Sequence, residues 1–361
     1  MTPPVSDRAA RTSRRTPGAS SQEPAGRSAP AGADSGTGTS RIAVDLLGGD
    51  GAPAVVVDGA LRACRADPDL QLLLVGPPDA ADDVRAALPD DQRRRITVRP
   101  TGATGGSAAG TAAGPDTGRA DGSIRAAMAA VADGAADAFI SAGSSGAIVT
   151  AAALGLGRWP TVRRPALVAT LPAVAGPVVL LDVGATVEAR PATLTQHALF
   201  GAAYGAVRLG LDRPRVGLLS IGAEPGKGDR VRRTADTLLR SLTLPADGRY
   251  VGLVEGHDVT LGDGLDVVVT DGFTGNVLLK GIEGAYAMAG GPEPGRVAPR
   301  AAALLGVAGT VVVCHGAATG ADIATGITLA AGLHRGRVTS TVARMLDDIT
   351  RLIAEQDEVS P

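Results

Sequence analysis

From Arg41 onward, short apolar runs alternate with longer Ala- and Leu-rich stretches whose apolar positions recur at helical spacing. The runs predict strands at 42–46, 70–75, 96–98, 138–141, 166–170, 178–182, 215–220, 267–270 and 310–314. The stretches between them predict helices at 54–66, 80–88, 123–133, 147–156, 194–209, 230–241, 276–289 and 321–333. This alternation predicts a Rossmann-like α/β fold, a mostly parallel sheet with helices on both faces. Several runs are continuously apolar, as expected of strands covered on both sides.

Segments outside the pattern set the domain limits. Residues 1–40 are rich in Pro, Ser, Ala, Gly and Thr without an apolar period, and read as a disordered tail. The α/β domain is expected over 41–355, with a short tail at 356–361. Within it, 101–122 is Gly/Ala/Thr-rich and too long for an ordinary connection, so it reads as a mobile loop. The longest apolar stretch, 166–181, is broken by Pro172, Gly176 and Pro177, so no membrane span is expected. Without an apolar signal core near the start, the expected location is cytoplasmic.

Composition narrows the chemistry. The formal net charge of -2 and 2% aromatic content give no global pull toward nucleic acid and no stacking platform for single strands. Cys64 and Cys314 are too few for a disulfide framework or a zinc site. His197, His257, His315 and His334 are dispersed, so no metal is expected. There is no Walker A loop, no GxGxxG fingerprint, no GxSxG elbow and no HExxH. No cofactor is expected either.

One compositional asymmetry points to a site. Of 35 basic residues only two, Lys227 and Lys280, are lysines. A lysine is a compact, flexible point charge where arginine is a wide planar fork. Lys227 lies in Ile221-Gly-Ala-Glu-Pro-Gly-Lys-Gly-Asp229, and Lys280 follows Asp271-Gly-Phe-Thr-Gly-Asn276. Six turns at predicted strand ends share this Gly, Asp, Ser, Asn and His character: 45–50, 141–146, 182–186, 221–224, 271–276 and 315–316. In open parallel sheets ligands bind beyond the strands' C-terminal ends. Glycines there admit backbone amides to an anion, and the following helix adds its positive end. Gathered on one rim, the six turns would make an anion site.

Taken in order, these segments resemble one family, the phosphate acyltransferases of bacterial phospholipid synthesis (the PlsX family). The matching stretches are AVDLLGGDGAP at 43–53, ADAFISAGSSGA at 136–147, RRPALVATLP at 163–172, LLDVGA at 180–185, PRVGLLSIGAEPGKGD at 214–229, VEGHDV at 254–259, DVVVTDGFTGNVLLKGIEG at 266–284 and ALLGVAGTVVVCHGA at 303–317. The resemblance implies the fold of phosphate acetyltransferases and of isocitrate/isopropylmalate dehydrogenases. It implies acyl transfer from acyl-carrier protein to inorganic phosphate, with no cofactor or metal. It also implies a homodimer acting near the inner face of the cell membrane, with a glycerol-3-phosphate acyltransferase as a further partner. Arg230, Arg232 and Arg233 are candidate contacts for the acidic carrier or acidic lipid.

The chemistry demands a held phosphate dianion and a stabilised oxyanion. Lys227 is the candidate for holding phosphate. Asn276, read as standing at a helix start, is the candidate donor to phosphate or oxyanion. Gly48, Gly49, Asp50, Ser144, Ser145, Gly146, Gly226, Gly228, Gly272, Thr274, Gly275 and His315 are candidate substrate contacts. Lys280 reads as a surface or supporting residue on the helix of Asn276. Asp45, Asp182 and Asp271 read as loop anchors, and Glu255 and Asp258 as structural. Three departures from the family pattern stand out: Gly118-Arg-Ala-Asp-Gly-Ser-Ile124 lacks adjacent lysines and leaves Arg119 and Ser123 in their place, Gly143-Ser-Ser-Gly146 replaces Gly-Asn-Thr-Gly, and Thr186 replaces Asn. The alternatives are a short-chain acyltransferase using coenzyme A and a non-catalytic scaffold for phospholipid enzymes.

Overall fold

One sheet runs through the whole computed structural model, which describes residues 38–101, 115–290 and 299–359. Its strands are β1 (Ser40–Asp45), β2 (Leu70–Gly76), β3 (Ile96–Pro100), β4 (Ala138–Ser141), β5 (Ala166–Ala173), β6 (Gly176–Leu181), β7 (Arg215–Leu219), β8 (Arg249–Val254), β9 (Val267–Val269), β10 (Ala301–Leu305) and β11 (Thr310–Cys314). The helices are α1 (Ala54–Ala66), α2 (Pro78–Ala87), α3 (Pro115–Ala132), α4 (Ser145–Gly155), α5 (Pro191–Leu209), α6 (Arg230–Arg240), α7 (Gly256–Leu261), α8 (Gly272–Met288), α9 (Gly320–Arg335) and α10 (Val338–Val359). Strand order is β3-β2-β1-β4-β11-β10-β5-β6-β9-β7-β8.

The expected α/β architecture is present, with one feature that local patterns do not carry. β3, β2, β1, β4 and β11 are mutually parallel, and so are β6, β9, β7 and β8. Between the halves, β10 is antiparallel to both β11 and β5, and β5 is antiparallel to β6. The two parallel halves therefore point in opposite directions.

Two apolar layers cover the sheet. Alternate residues of one strand feed opposite layers: Ile42 and Val44 belong to the layer of α1, α5, α6 and α9, while Ala43 belongs to that of α3 and α4. Short side chains bring elements close. A Cβ on Gly59 of α1 would fall 2.5 Å from Ile323 of α9 and 2.9 Å from the Gly320 carbonyl. No described helix is long and apolar enough to cross a membrane.

Several boundaries differ from the sequence reading. β8 was not expected, because Arg249 and Gly252 interrupt its apolar run; pairing with β7 makes it a strand. β10 is Ala-rich and carries little strand signal of its own, and its place between β11 and β5 decides it. α7 and α10 were also not expected. α10 reaches Val359, into the segment read as a C-terminal tail. α3 starts at Pro115, so the last part of the 101–122 loop is helical, while 102–114 lie outside the described residues. Most of the 1–40 tail also lies outside them, and Ser40 already opens β1.

Substituting Gly59→Val is expected to lower stability by about 1–3 kcal/mol, since overpacking against Ile323 and the α9 backbone outweighs a gain in helix propensity of under ~1 kcal/mol. A fall in urea midpoint at unchanged slope checks it; an unchanged midpoint would mean the helices separate freely.

Candidate active site

The reversal of strand direction divides the six turns into two groups of three. The first group, at the ends of β1, β4 and β11, holds 45–50, 141–146 and 315–316. The second, at the ends of β6, β7 and β9, holds 182–186, 221–224 and 271–276. The two sets of strand ends point oppositely, so the expectation of one shared rim is corrected.

The first group is organised around Asp45, 1% exposed. Ser123 Oγ lies 2.5 Å from Asp45 Oδ1 and 2.7 Å from the Val75 carbonyl. A hydroxyl has one proton to give, so the Ser123 proton is shared between the carboxyl and the Val75 carbonyl. Burial pushes the Asp45 pKa up, against hydrogen bonds from Ser123, Ser141 and the Leu47 amide. Ser123 is thus occupied internally and does not replace the missing lysines as a phosphate contact. Arg119's side chain lies outside the described residues.

Above Asp45 the turns interlock. Asp50 N donates to the Gly316 carbonyl at 2.7 Å, and Gly143 N donates to Ser141 Oγ at 2.9 Å. A Cβ on Gly48 would lie 2.7 Å from the Ala142 nitrogen, and Gly49 has φ of 100° with the Gly316 carbonyl 2.9 Å from its Cβ position. Ser144 caps α4 without a side-chain hydrogen bond. Ser144, Gly146, Asp50 and His315 are exposed, and Ser145 is half-buried. His315 Nδ1 accepts from the Ala317 amide at 3.2 Å, leaving Nε2 free to face solvent.

The second group is built on Asp182, which is fully buried. Its carboxylate accepts from the amides of Leu167, Gly184, Ala185 and Thr186 at 2.6–3.0 Å. Burial raises its pKa while these donors and nearby His197 pull it down. His197, also fully buried, is kept neutral chiefly by desolvation. The first turn of α8 sits directly on the loop so fixed. Gly272 N donates to the Thr186 carbonyl at 2.8 Å, and a Cβ on Gly275 would overlap the Asp182 carbonyl. Thr186 is buried, its hydroxyl 3.4 Å from the Pro165 carbonyl, so it offers nothing outward in place of the family's Asn.

Asn276 is exposed, and its Nδ2 donates to the Val183 carbonyl at 3.1 Å. An amide nitrogen has a second N–H, which remains for a ligand. Asn276 does not open its helix, as the sequence suggested. Asp271 is the N-cap, accepting from the Thr274 amide at 2.8 Å, and Asn276 lies one turn further in. Lys280 is engaged by Glu283 at 2.7 Å.

Lys227 is exposed, its stem lying over Gly222, and makes no ion pair among the described residues. Gly226 and Gly228 on either side have φ of 87° and 88°, a left-handed conformation that needs glycine. This loop is tied to α8 by Arg232, a residue the sequence reading placed on the surface. Its guanidinium donates to Asp229 and Asp271, to the Leu219 carbonyl at 2.9 Å and to Thr274 Oγ1 at 3.2 Å. Only 13% of its side chain is exposed. The one local signal for it was its place three residues after an N-cap aspartate. Arg230 and Arg233 remain exposed. Glu255 and Asp258 form the capping box of α7, a structural role. Among the described residues no group of three His, Cys, Asp or Glu could hold a metal.

Arg232 also sets the local acid response. Burial opposes ionisation of Asp229 and Asp271, but amide and guanidinium donors outweigh it and hold both pKa values low. Carboxylates depressed in the folded state stabilise it above their unfolded range near ~4, and that stability fades as pH falls through the folded values. Arg232→Lys keeps the charge and loses the fork. It is expected to lower stability at neutral pH by about 2 kcal/mol and to flatten the loss of stability below about pH 4. Thermal unfolding from pH 7 to pH 3 checks both; an acid limb as steep as wild type would assign the effect elsewhere.

Comparison with known proteins adds to this geometry. Residues 40–291 match the model of a family described as fatty acid synthesis protein. The phosphate acyltransferase of Thermobifida fusca (strain YX) is 38% identical over 343 residues, covering 86% of this chain and 92% of that protein. The phosphate acyltransferase of Salinibacter ruber is 42% identical over 244 residues, covering 67% of this chain and 70% of that protein. In fold, the chain is similar to the EutD phosphotransacetylase from Staphylococcus aureus, with a TM-score of 0.55 at 16% identity, covering 86% of this chain and 95% of that one. A branched-chain phosphotransacylase from Enterococcus faecalis gives a TM-score of 0.53 at 15% identity, over 81% and 99% of the two chains.

Proposed function

The chain belongs to the phosphate acyltransferase family and is an acyltransferase, and on that premise we propose that it moves a long-chain acyl group from acyl-carrier protein to inorganic phosphate. The observation that carries this reading is the unpaired Lys227 ammonium on a glycine-rich loop that Arg232 ties to the helix of Asn276.

A phosphate oxygen attacks the thioester carbonyl carbon. The C–O bond forms, the C–S bond breaks, and its electron pair leaves on sulfur. The phosphate proton ends on the carrier thiol, so the products are acyl phosphate and free carrier. Lys227 holds the dianion; its flexible stem can follow the phosphate as charge moves. The second N–H of Asn276 donates to the developing oxyanion or to phosphate. Phosphate is itself the nucleophile and a thiolate leaves readily, so no Ser/His relay is needed. Gly226 and Gly228 shape the Lys227 loop, and Gly272, Thr274 and Gly275 seat the first turn of α8.

Gly48, Gly49, Asp50, Ser144, Ser145, Gly146 and His315 are assigned to the polar arm of the donor. The exposed Ser144, whose hydroxyl makes no cap hydrogen bond, and the exposed Gly146 at the start of α4 support this. The same reading takes the protein to be a homodimer working at the inner membrane face beside a glycerol-3-phosphate acyltransferase.

Purified protein with palmitoyl carrier is expected to release free carrier only when phosphate is present, and faster than it releases coenzyme A from acetyl-coenzyme A. Lys227→Ala and Asn276→Ala should each lower kcat about a hundredfold or more. Full rates in both variants would remove them from the mechanism, and a faster reaction with acetyl-coenzyme A would replace the substrate. In contrast, Ser144→Ala with Ser145→Ala should raise KM for the carrier several-fold and leave kcat near wild type. A drop in kcat with constant KM would contradict the division of labour between the two groups.

A further inference from the structure

Beside the Lys227 loop, the β6–α5 connection and the first turns of α6 and α8 border an open cavity of about 460 Å³. Its apolar wall is Val187, Ala189, Leu194, Val231 and Phe273. Leu194 is buried and forms the floor, whereas Val187 is 61% and Phe273 63% exposed. Val277, one turn beyond Phe273 on the same helix face, is also largely exposed. Large apolar side chains standing in water around a cavity stabilise nothing until something apolar covers them.

The charges at the cavity exclude phosphate as the occupant. Asp229, Asp271 and Glu188 line it together with a single cation, Arg232. That guanidinium is already shared between Asp229 and Asp271. Three carboxylates against one committed cation repel a dianion, while an uncharged chain is not repelled and can cover the apolar wall. The volume falls in the range of small-ligand sites, about 300–1,000 Å³. Asp271 caps α8, which carries Asn276, and Arg232 stands in the first turn of α6, directly after the Lys227 loop, so a chain lying here would have its reactive end toward those groups.

We propose that this cavity is the acyl-chain subsite, with Val187, Val231 and Phe273 as its walls and Leu194 as the floor that limits chain length. The inference rests on the reading of the neighbouring loops as the place of acyl transfer to phosphate.

The test uses full-length protein and two variants outside the reacting groups. Ala189→Trp fills the cavity, and Val187→Asp places a charge on an already exposed wall position. Binding of octanoyl- and palmitoyl-pantetheine without phosphate is measured by calorimetry, and turnover with the matching carrier thioesters is measured separately. Wild type should bind the palmitoyl compound more tightly than the octanoyl one, each buried methylene adding roughly fourfold until the floor is reached. Both variants should lose at least about tenfold in palmitoyl affinity, with a smaller loss for the octanoyl compound, which covers less of the wall. Palmitoyl binding unchanged in both variants overturns the subsite. So does a change in molecular mass by light scattering with binding unchanged, because the occupant is then a second copy of the chain. Chain-length-dependent binding that both variants abolish, without turnover in the wild type, supports the subsite and removes the acyl-transfer reading instead.

Discussion

The second half of the molecule depends on one buried carboxylate. Asp182 gathers four backbone amides, those of Leu167 and Thr186 buried and those of Gly184 and Ala185 half-buried, and so fixes the 182–186 loop as a solid surface. The first turn of α8 rests on that surface with no room for a side chain at Gly275. Asn276 then reaches the Val183 carbonyl from above. Withdraw the carboxylate and two buried donors, the Leu167 and Thr186 amides, are orphaned, each costing about 1–3 kcal/mol. The position of the asparagine is thus inherited from a charge it never touches. Arg232 completes the construction by fastening the Lys227 loop to the same helix.

The antiparallel pair β10 and β5 has a comparable reach on a larger scale. Through three successive antiparallel pairings at the centre of the sheet, β11 with β10, β10 with β5 and β5 with β6, it lets one continuous sheet present loop clusters in two directions. Each cluster uses a similar device: a buried aspartate at a strand end, glycines packed to backbone distance, and a helix start above. The donors differ. Asp182 accepts from four backbone amides, while Asp45 accepts from the Ser123 and Ser141 hydroxyls and the Leu47 amide.

Much of this was legible in the sequence, and the failures have physical causes. α1, β4 and β11 were bounded as observed because their apolar runs begin and end abruptly at polar or turn residues. β10 was not legible because five small or straight-chain residues carry no strand signal until two neighbours pair with them. Lys227 stood out as one of two lysines among thirty-three arginines, and Asn276 through the glycine turn before it. Arg232 did not stand out, for the opposite reason: an arginine is ordinary in this chain, and only the tertiary approach of Asp271 makes it special. The division of six turns into two groups was equally hidden, since strand direction is a property of the assembled sheet.

The scarcity of lysine has a practical side. Apart from the chain's amino terminus, side-chain primary amines occur at two positions, and the one on α8 is held by Glu283. The other stands unpaired on a glycine-flanked loop. Amine-directed labelling of this protein therefore has few targets by composition alone. A reporter group on Lys227, attached through an amide or imine, would sit on the loop that Arg232 ties to the helix of Asn276 without any residue having to be engineered.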